Sequence, residues 1–302
     1  MDGFLNVLKP PGMTSHDVVG HLRRLCGTKK VGHAGTLDPA AAGVLVVGVG
    51  TGTRLLEYLV GGDKAYRAEV RLGLTTDTQD AEGEVLAERD ASGVTEEALR
   101  AALAKFVGHV QMKPPMYSAI RHEGRKLYEY ARAGQEIELA PREADIHGIE
   151  LLAFAPGSSA VALVDVECAS GTYVRSLAAA IGDELGCGGM LQFLLRTRVG
   201  ELRLESARTL QELQTAADEG RLEAEAITGV QAVAGLPSLT VDEPTARRLA
   251  GGLAQRWPER SAEGVVRIMT EAGELLCIAD VAAGLSGCEI RPRKVFVGEV
   301  SA

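Results

Sequence analysis

The sequence predicts a mixed α/β domain running to about residue 230, followed by a small β domain. Three observations carry this. "AYRAEVRLG" alternates strictly: Tyr66, Ala68, Val70 and Leu72 share one face and Arg67, Glu69 and Arg71 the other, the two-residue period of a half-buried strand. "TYVRSLAAAIGDELG" follows the helical period instead, with Val174, Leu177, Ala178, Ile181 and Leu185 on one stripe closed by Gly186. Beyond Pro237 the pattern changes to one short helix, "EPTARRLAGG", and the short strands "GVVRIMT", "ELLCIADVA" and "EIRPRKVFV". That stretch of about 65 residues suits a small barrel or sandwich.

The remaining elements follow in order. "FLNVLKPPG" reads as a strand stopped by Lys9-Pro10-Pro11-Gly12, because proline cannot continue a ladder. "TSHDVVGHLRRLCG" reads as a helix capped by Thr14 or Ser15, with Val18, Leu22 and Leu25 on one face. "GVLVVGVG" is a continuous apolar run of strand length, expected to be covered on both faces. "VTEEALRAALAKFVG" is a helix with Thr95 as cap, acids in its first turn, and Leu99, Leu103 and Phe106 inward. "VALVDVECASG" is a strand and "ARTLQELQTAADEG" a further helix. The Ala/Gly-rich stretch up to "VAGLPS" reads as a linker ending near Pro237.

Composition bounds the function classes. A chain of 302 residues with 46% hydrophobic content can build one large domain or two unequal ones. No apolar stretch nears the roughly 20 residues that span a bilayer, and "MDGFLNVLKPPG" lacks the pattern of a secretory signal. The five cysteines are scattered without a CxxC, which favours a reduced, cytoplasmic protein over a disulfide framework or zinc cluster. A net charge of −9 weighs against a polyanionic partner, but charge is uneven. Between Gln111 and Gly134 the bases Lys113, Arg121, Arg125, Lys126 and Arg132 face only Glu123 and Glu129.

"KKVGHAGTLDPAAAGVLVVGVGTGTR" carries the strongest candidate chemistry. Its glycine-rich tail fails the dinucleotide pattern, since Thr53 or Leu55 stands where the third glycine belongs, and fails the P-loop pattern, since Val49 stands where lysine belongs. "TTDTQDAEG" fails as a calcium loop because Gln79 and Ala81 interrupt the recurring oxygen ligands. Asp38 remains, a single carboxylate among basic residues and glycines. The proline after it biases it to an extended loop, and a buried strand follows that can hold the loop rigid.

Five segments, in order, give a family resemblance. "LNVLKPPGMTSHDVV", "GHAGTLDPAAAGVLVVGVG", "DKAYRAEVRLGLTTDTQDAEGE", "PPMYSAIRHEGRKLYEYARAG" and "SGTYVRSLAAAIGDELGCGGMLQFLLRTRVG" resemble the Lys-Pro, aspartate, tyrosine, RNA-gripping and arginine motifs of the TruB-type tRNA pseudouridine synthases. The match covers roughly the first 210 residues. The segment after Pro237 is similar, less distinctly, to that family's PUA-like RNA-binding domain.

The resemblance implies a pseudouridine-synthase fold of α+β class, with a central, largely antiparallel mixed sheet flanked by helices. It implies a catalytic domain over residues 1–232, an RNA-gripping insertion at about 111–140, and a β-rich domain over 237–302. It implies isomerisation of uridine to pseudouridine in the tRNA T-loop, position 55, after the base is flipped out, by a monomer without metal, cofactor or membrane. Residue by residue it makes Asp38 the catalytic carboxylate, Arg175 its partner and Tyr66 the ring that stacks on the base. His33, Tyr173 and Leu194 become substrate-pocket positions, and the candidate phosphate contacts are Lys9, Lys29, Lys30, Arg54, Lys64 and the 113–132 cluster. The alternatives are a non-catalytic tRNA-binding or folding protein on the same scaffold, and a nucleotide-dependent oxidoreductase, which the broken glycine spacing disfavours.

Overall fold

Strand β1 (Gly3–Lys9) ends where the two prolines begin, and helix α1 (Ser15–Leu25) starts on a capping box. Thr14 accepts from the Asp17 amide and Asp17 accepts from the Thr14 amide, so two otherwise orphaned donors are satisfied. Strand β2 (Val31–His33) lies antiparallel to β3 (Ala42–Val49), and β1 lies beside β3. Every residue of β3 is buried, as the unbroken apolar run predicts. Its two faces serve two cores. Leu45, Val47 and Val49 pack with Leu5, Val18 and Leu22, whereas Val44 and Val46 pack with Phe4, Leu55, Leu275, Ile278 and Phe296. Helix α2 (Leu56–Val60) follows the glycine-rich tail. Gly52 of that tail lies so close to Gly3 that an added Cβ would stand 2.2 Å from the Gly3 carbonyl oxygen; packing of backbone on backbone, not a nucleotide, requires the glycine.

The chain then runs through β4 (Lys64–Leu72), β5 (Leu74–Thr76), β6 (Val85–Glu88), α3 (Glu96–Ala104) and β7 (Gly108–Met112). The small hairpin β8 (Arg121–His122) and β9 (Arg125–Lys126) leads into α4 (Leu127–Arg132). Strands β10 (Arg142–Ala155) and β11 (Val161–Cys168), helix α5 (Val174–Glu184) and strand β12 (Gly189–Val199) complete this part. The sheet order is β12-β4-β11-β10-β7, with β4–β11, β11–β10 and β10–β7 all antiparallel. Tyr66, Ala68, Val70 and Leu72 of β4 are buried, as their alternation predicts. Parallel pairing enters where Ala42 and Gly43 meet Leu195 and Arg196 of β12. Gly43 has a φ of 116°, and a Cβ there would stand 2.2 Å from the Arg196 carbonyl oxygen.

The last third holds β13 (Leu202–Arg203), α6 (Leu210–Asp218), α7 (Gly229–Ala232), β14 (Ser238–Val241), α8 (Glu243–Ala250), β15 (Gln255–Trp257), β16 (Gly264–Thr270), β17 (Leu275–Gly284) and β18 (Gly287–Val295). Its separate five-stranded sheet has the order β14-β16-β17-β18-β15 and a core of its own around Val266, Ile268, Cys277, Val281 and Ile290. The computed structural model describes residues 1–118, 120–135, 137, 139–258, 263–284 and 287–296. Val297 of the last expected strand and the side chain of Arg132 lie outside that description. By contacts the chain forms two units, Met1–Asp38 with Val44–Gly61 and Val199–Ala302, and Pro39–Gly43 with Gly62–Arg198.

Two expectations need correction. The stretch before Pro237 is not a linker: Ile227 exchanges two backbone hydrogen bonds with Phe4 (2.7 and 2.9 Å), and Ala232 and Val233 are buried. Its small residues permit close packing rather than flexibility. Phe106 lies beyond the end of α3, because the helix stops at Ala104, and it is only half-buried, as is Leu185 at the end of α5. The change of pattern near Pro237 does mark a new sheet, and Leu275 and Ile278 of that sheet, with Phe296 just after β18, share a core with Phe4 and Val44.

Gly43→Ala is expected to destabilise the protein by about 2 kcal/mol or more, through a strained φ and a backbone clash that no side-chain movement relieves. A fall in the urea midpoint at unchanged slope checks this; an unchanged midpoint refutes it.

Candidate active site

Asp38 closes a short loop whose position is fixed from within its own unit. The buried Ser15 hydroxyl, at the first residue of α1, accepts from the Leu37 amide (2.9 Å) and donates to the Leu37 carbonyl (3.1 Å). One side chain thus satisfies both backbone groups of the residue before Asp38. The Ala34 amide donates to the Val46 carbonyl, tying the loop's other end to β3. Asp38 itself is half-buried. His33 belongs to β2, opposite Val47.

Arg175 sits in the first turn of α5, off the apolar stripe, as the sequence predicts, and yet it is only 7% exposed. Its guanidinium lies 3.5 Å from the Asp80 carboxylate and donates to the carbonyls of Thr78 (3.3 Å) and Tyr117 (2.9 Å). Asp80 and Thr78 belong to the acidic loop between β5 and β6, and Tyr117 to the segment that enters the β8–β9 hairpin. The loop's Asp77 and Asp80 carboxylates also take hydrogen bonds from their neighbours. Asp77 accepts from the Glu84 amide (2.8 Å) and the Tyr117 hydroxyl (3.3 Å), and Asp80 also accepts from Thr78 Oγ1 (2.5 Å) and the Glu82 amide (3.1 Å). Among the described residues no cluster of His, Cys, Asp and Glu is arranged to hold a metal, and no helix is long and apolar enough to cross a membrane.

Tyr66 is buried on β4, opposite Val166 of β11, and Leu194 is buried on the neighbouring strand β12. Tyr173 immediately precedes α5 and lines a cavity of about 200 Å³ together with Met112, Lys113, Ile120, Arg142 and Gly171. Tyr66, Tyr173, Arg175 and Leu194 therefore fall in one unit, and His33 and Asp38 in the other.

The expected phosphate contacts divide. Lys9 is fully buried and its ammonium donates to the carbonyls of Met13 (2.6 Å) and Pro10 (2.9 Å), which braces the turn after β1. Lys64 is 6% exposed and donates to the Gly62 carbonyl (2.8 Å). Burial, together with the nearby Arg196 guanidinium, lowers its pKa to about 8. Neither ammonium is offered to solvent; each braces a backbone turn. Arg54 is half-buried, its guanidinium 4.9 Å from the centre of the Phe296 ring. The hairpin keeps its charge outward: Arg121 and Arg125 are exposed, Arg125 over Tyr130 (4.4 Å), and Lys126 lies over Tyr128 (5.4 Å).

Sequence reasoning passed over Asp80 and Tyr117 and offered Ser15 only as a helix cap, a role that Thr14 fills. Asp80 lay within a segment already noted as acidic, but nothing in its spacing from Arg175 shows that they meet.

Lys64 binds its proton less firmly in the fold than in the unfolded chain, so its contribution makes the fold more stable as pH rises from about 8 toward 10.5. The difference in unfolding free energy between Lys64→Met and the parent protein should therefore shift steadily in the parent's favour over that range in urea titrations. A pH-independent difference would contradict it.

Comparisons with known proteins give the chain its relatives. The profile described as TruB family pseudouridylate synthase (N terminal domain) matches residues 23–174. The chain is 48% identical over 302 residues to a protein named tRNA pseudouridine synthase B of Moorella thermoacetica, covering 97% of this chain and 99% of that one. It is 51% identical over 254 residues to a protein of the same name from Symbiobacterium thermophilum, covering 84% and 83%. Among solved structures it superimposes on a chain of an H/ACA RNP bound to a substrate RNA containing 2'-deoxyuridine, with a TM-score of 0.77, 25% identity and coverage of 98% and 86%. Fold, braced aspartate loop, buried arginine and full-length relatives converge: the chain belongs to the TruB family of pseudouridylate synthases.

Proposed function

We propose that this chain is a tRNA pseudouridine synthase that isomerises a flipped-out uridine in the T-loop, position 55. Its full-length likeness to proteins named tRNA pseudouridine synthase B is the observation that carries the reading. The reaction conserves every atom. The bond from C1′ to N1 breaks, the uracil turns, C1′ bonds to C5, the C5 proton leaves and N1 gains one. It needs no net electron transfer.

In this reading Asp38 is the carboxylate that acts at the sugar or takes a proton, and its braced loop supplies the fixed geometry that such a group requires. Arg175 is the cation that keeps Asp38 ionised beneath the base, its planar fork able to serve more than one carboxylate. Tyr66 stacks on the uracil, His33 attends the vacated stack, and Tyr173 and Leu194 wall the pocket. Extrusion of the base costs a few kcal/mol, offset by stacking and pocket contacts. The exposed, aromatic-backed bases of the hairpin grip tRNA phosphates despite the net charge of −9. Residues 237–302 add a second RNA-binding surface. The chain acts as a monomer in the cytoplasm.

The direct test is incubation with unmodified tRNA and no added cofactor, followed by pseudouridine-specific derivatisation and mass measurement. A mass shift confined to the T-loop is expected; no shift overturns the reading. Asp38→Asn should bind tRNA within about threefold of the parent and lose more than about a thousandfold in rate; near-normal turnover would refute its role. Arg175→Ala should move the acidic limb of the pH–rate profile upward, since removing a cation raises a carboxylate pKa; an unmoved limb counts against the pairing. Binding should weaken steeply with salt, and Arg121→Ala or Lys126→Ala should each lower the log–log slope by about 1. A flat salt response would exclude the phosphate grip.

A further inference from the structure

Arg175 owes its orientation to two segments, the acidic-loop residues Thr78 and Asp80 and the hairpin-entry residue Tyr117. The neighbouring side chain, Ser176, pins both. Its hydroxyl lies 2.8 Å from the Lys113 carbonyl and 3.0 Å from the side-chain amide of Gln79. Ser176 is 5% exposed, so these contacts are sheltered from competing water.

The proton order follows from chemistry. A hydroxyl has one proton and a carbonyl can only accept, so Ser176 donates to Lys113. The Gln79 side chain faces the hydroxyl with Oε1 in the structure, and one proton cannot serve two acceptors; with the amide turned over, its –NH2 group donates instead, giving the chain Gln79 N–H to Ser176 O–H to the Lys113 carbonyl. Gln79 is itself held in an unusual conformation, with a φ of 63°, and its carbonyl accepts from the Leu191 amide (3.0 Å). A non-glycine residue keeps such a backbone only where its surroundings over-determine it.

We propose that Ser176 is a positioning residue: through Gln79 and Lys113 it locks the acidic loop and the root of the RNA-gripping hairpin around Arg175, coupling the grip on RNA to the aim of the guanidinium. This rests on the catalytic reading of Arg175 given above. The residue does not touch substrate, so its loss should appear in the chemical step and not in binding.

The experiment compares single-turnover rates at saturating enzyme, tRNA dissociation constants and thermal midpoints for Ser176→Ala, Ser176→Thr, Gln79→Glu and Arg175→Ala. Ser176→Ala should slow the single-turnover rate by about tenfold while leaving the dissociation constant within about twofold. Ser176→Thr should recover most of that rate. Gln79→Glu, which can only accept when ionised, should reproduce the loss, and it keeps the proposal testable should Ser176→Ala fail to fold. In an Arg175→Ala background, Ser176→Ala should slow the reaction no further, as expected of residues acting as one unit. A parental rate for Ser176→Ala or Gln79→Glu, or additive losses with Arg175→Ala, would overturn the proposal. If Arg175→Ala itself turns over normally, the catalytic reading fails instead.

Discussion

The second unit is organised around one buried cation. The guanidinium of Arg175, 7% exposed, is held by the Asp80 carboxylate and by the carbonyls of Thr78 and Tyr117. A charge so placed must be paired and hydrogen-bonded, because leaving one partner alone in a buried pair costs roughly 3–5 kcal/mol. The three segments that meet it are far apart in sequence: the first turn of α5, the loop between β5 and β6, and the entry to the β8–β9 hairpin. The same constraint that makes the charge tolerable therefore draws the acidic loop and the entry to the β8–β9 hairpin to the first turn of α5.

A complementary constraint governs the first unit. Strand β3 is apolar on both faces because each face closes a different core, one with α1 and one that includes residues of the C-terminal sheet. The aspartate loop is the connection into this strand, and Ser15 fixes it through the backbone of Leu37. Rigidity at Asp38 is thus inherited from the most deeply buried strand in that unit. Lys9 and Lys64 spend their ammonium groups on backbone carbonyls at tight turns, whereas Arg121 and Arg125 stay exposed to water.

The family reading and the physical reading support each other at different levels. Sequence relatives that span nearly the full chain establish membership. Packing and hydrogen bonding show how the Asp38 loop and Arg175 are held, through Ser15 and Asp80.

Much of the secondary structure was legible in the sequence. The alternation of β4, the continuous apolar run of β3, the caps at Thr14 and Thr95 and the stripe of α5 follow from periodicity and local hydrogen bonding, which act between near neighbours. The family was legible through the ordered motifs around Asp38, Tyr66 and Arg175. Tertiary structure decided the rest, because it depends on contacts between residues distant in sequence. The Ala/Gly-rich stretch became packed structure only because Phe4 supplies a backbone partner for Ile227, and Gly43 became indispensable only because Arg196 runs beside it. Whether a lysine faces solvent or a carbonyl, and which carboxylate meets Arg175, are matters of burial and three-dimensional proximity that no local pattern encodes.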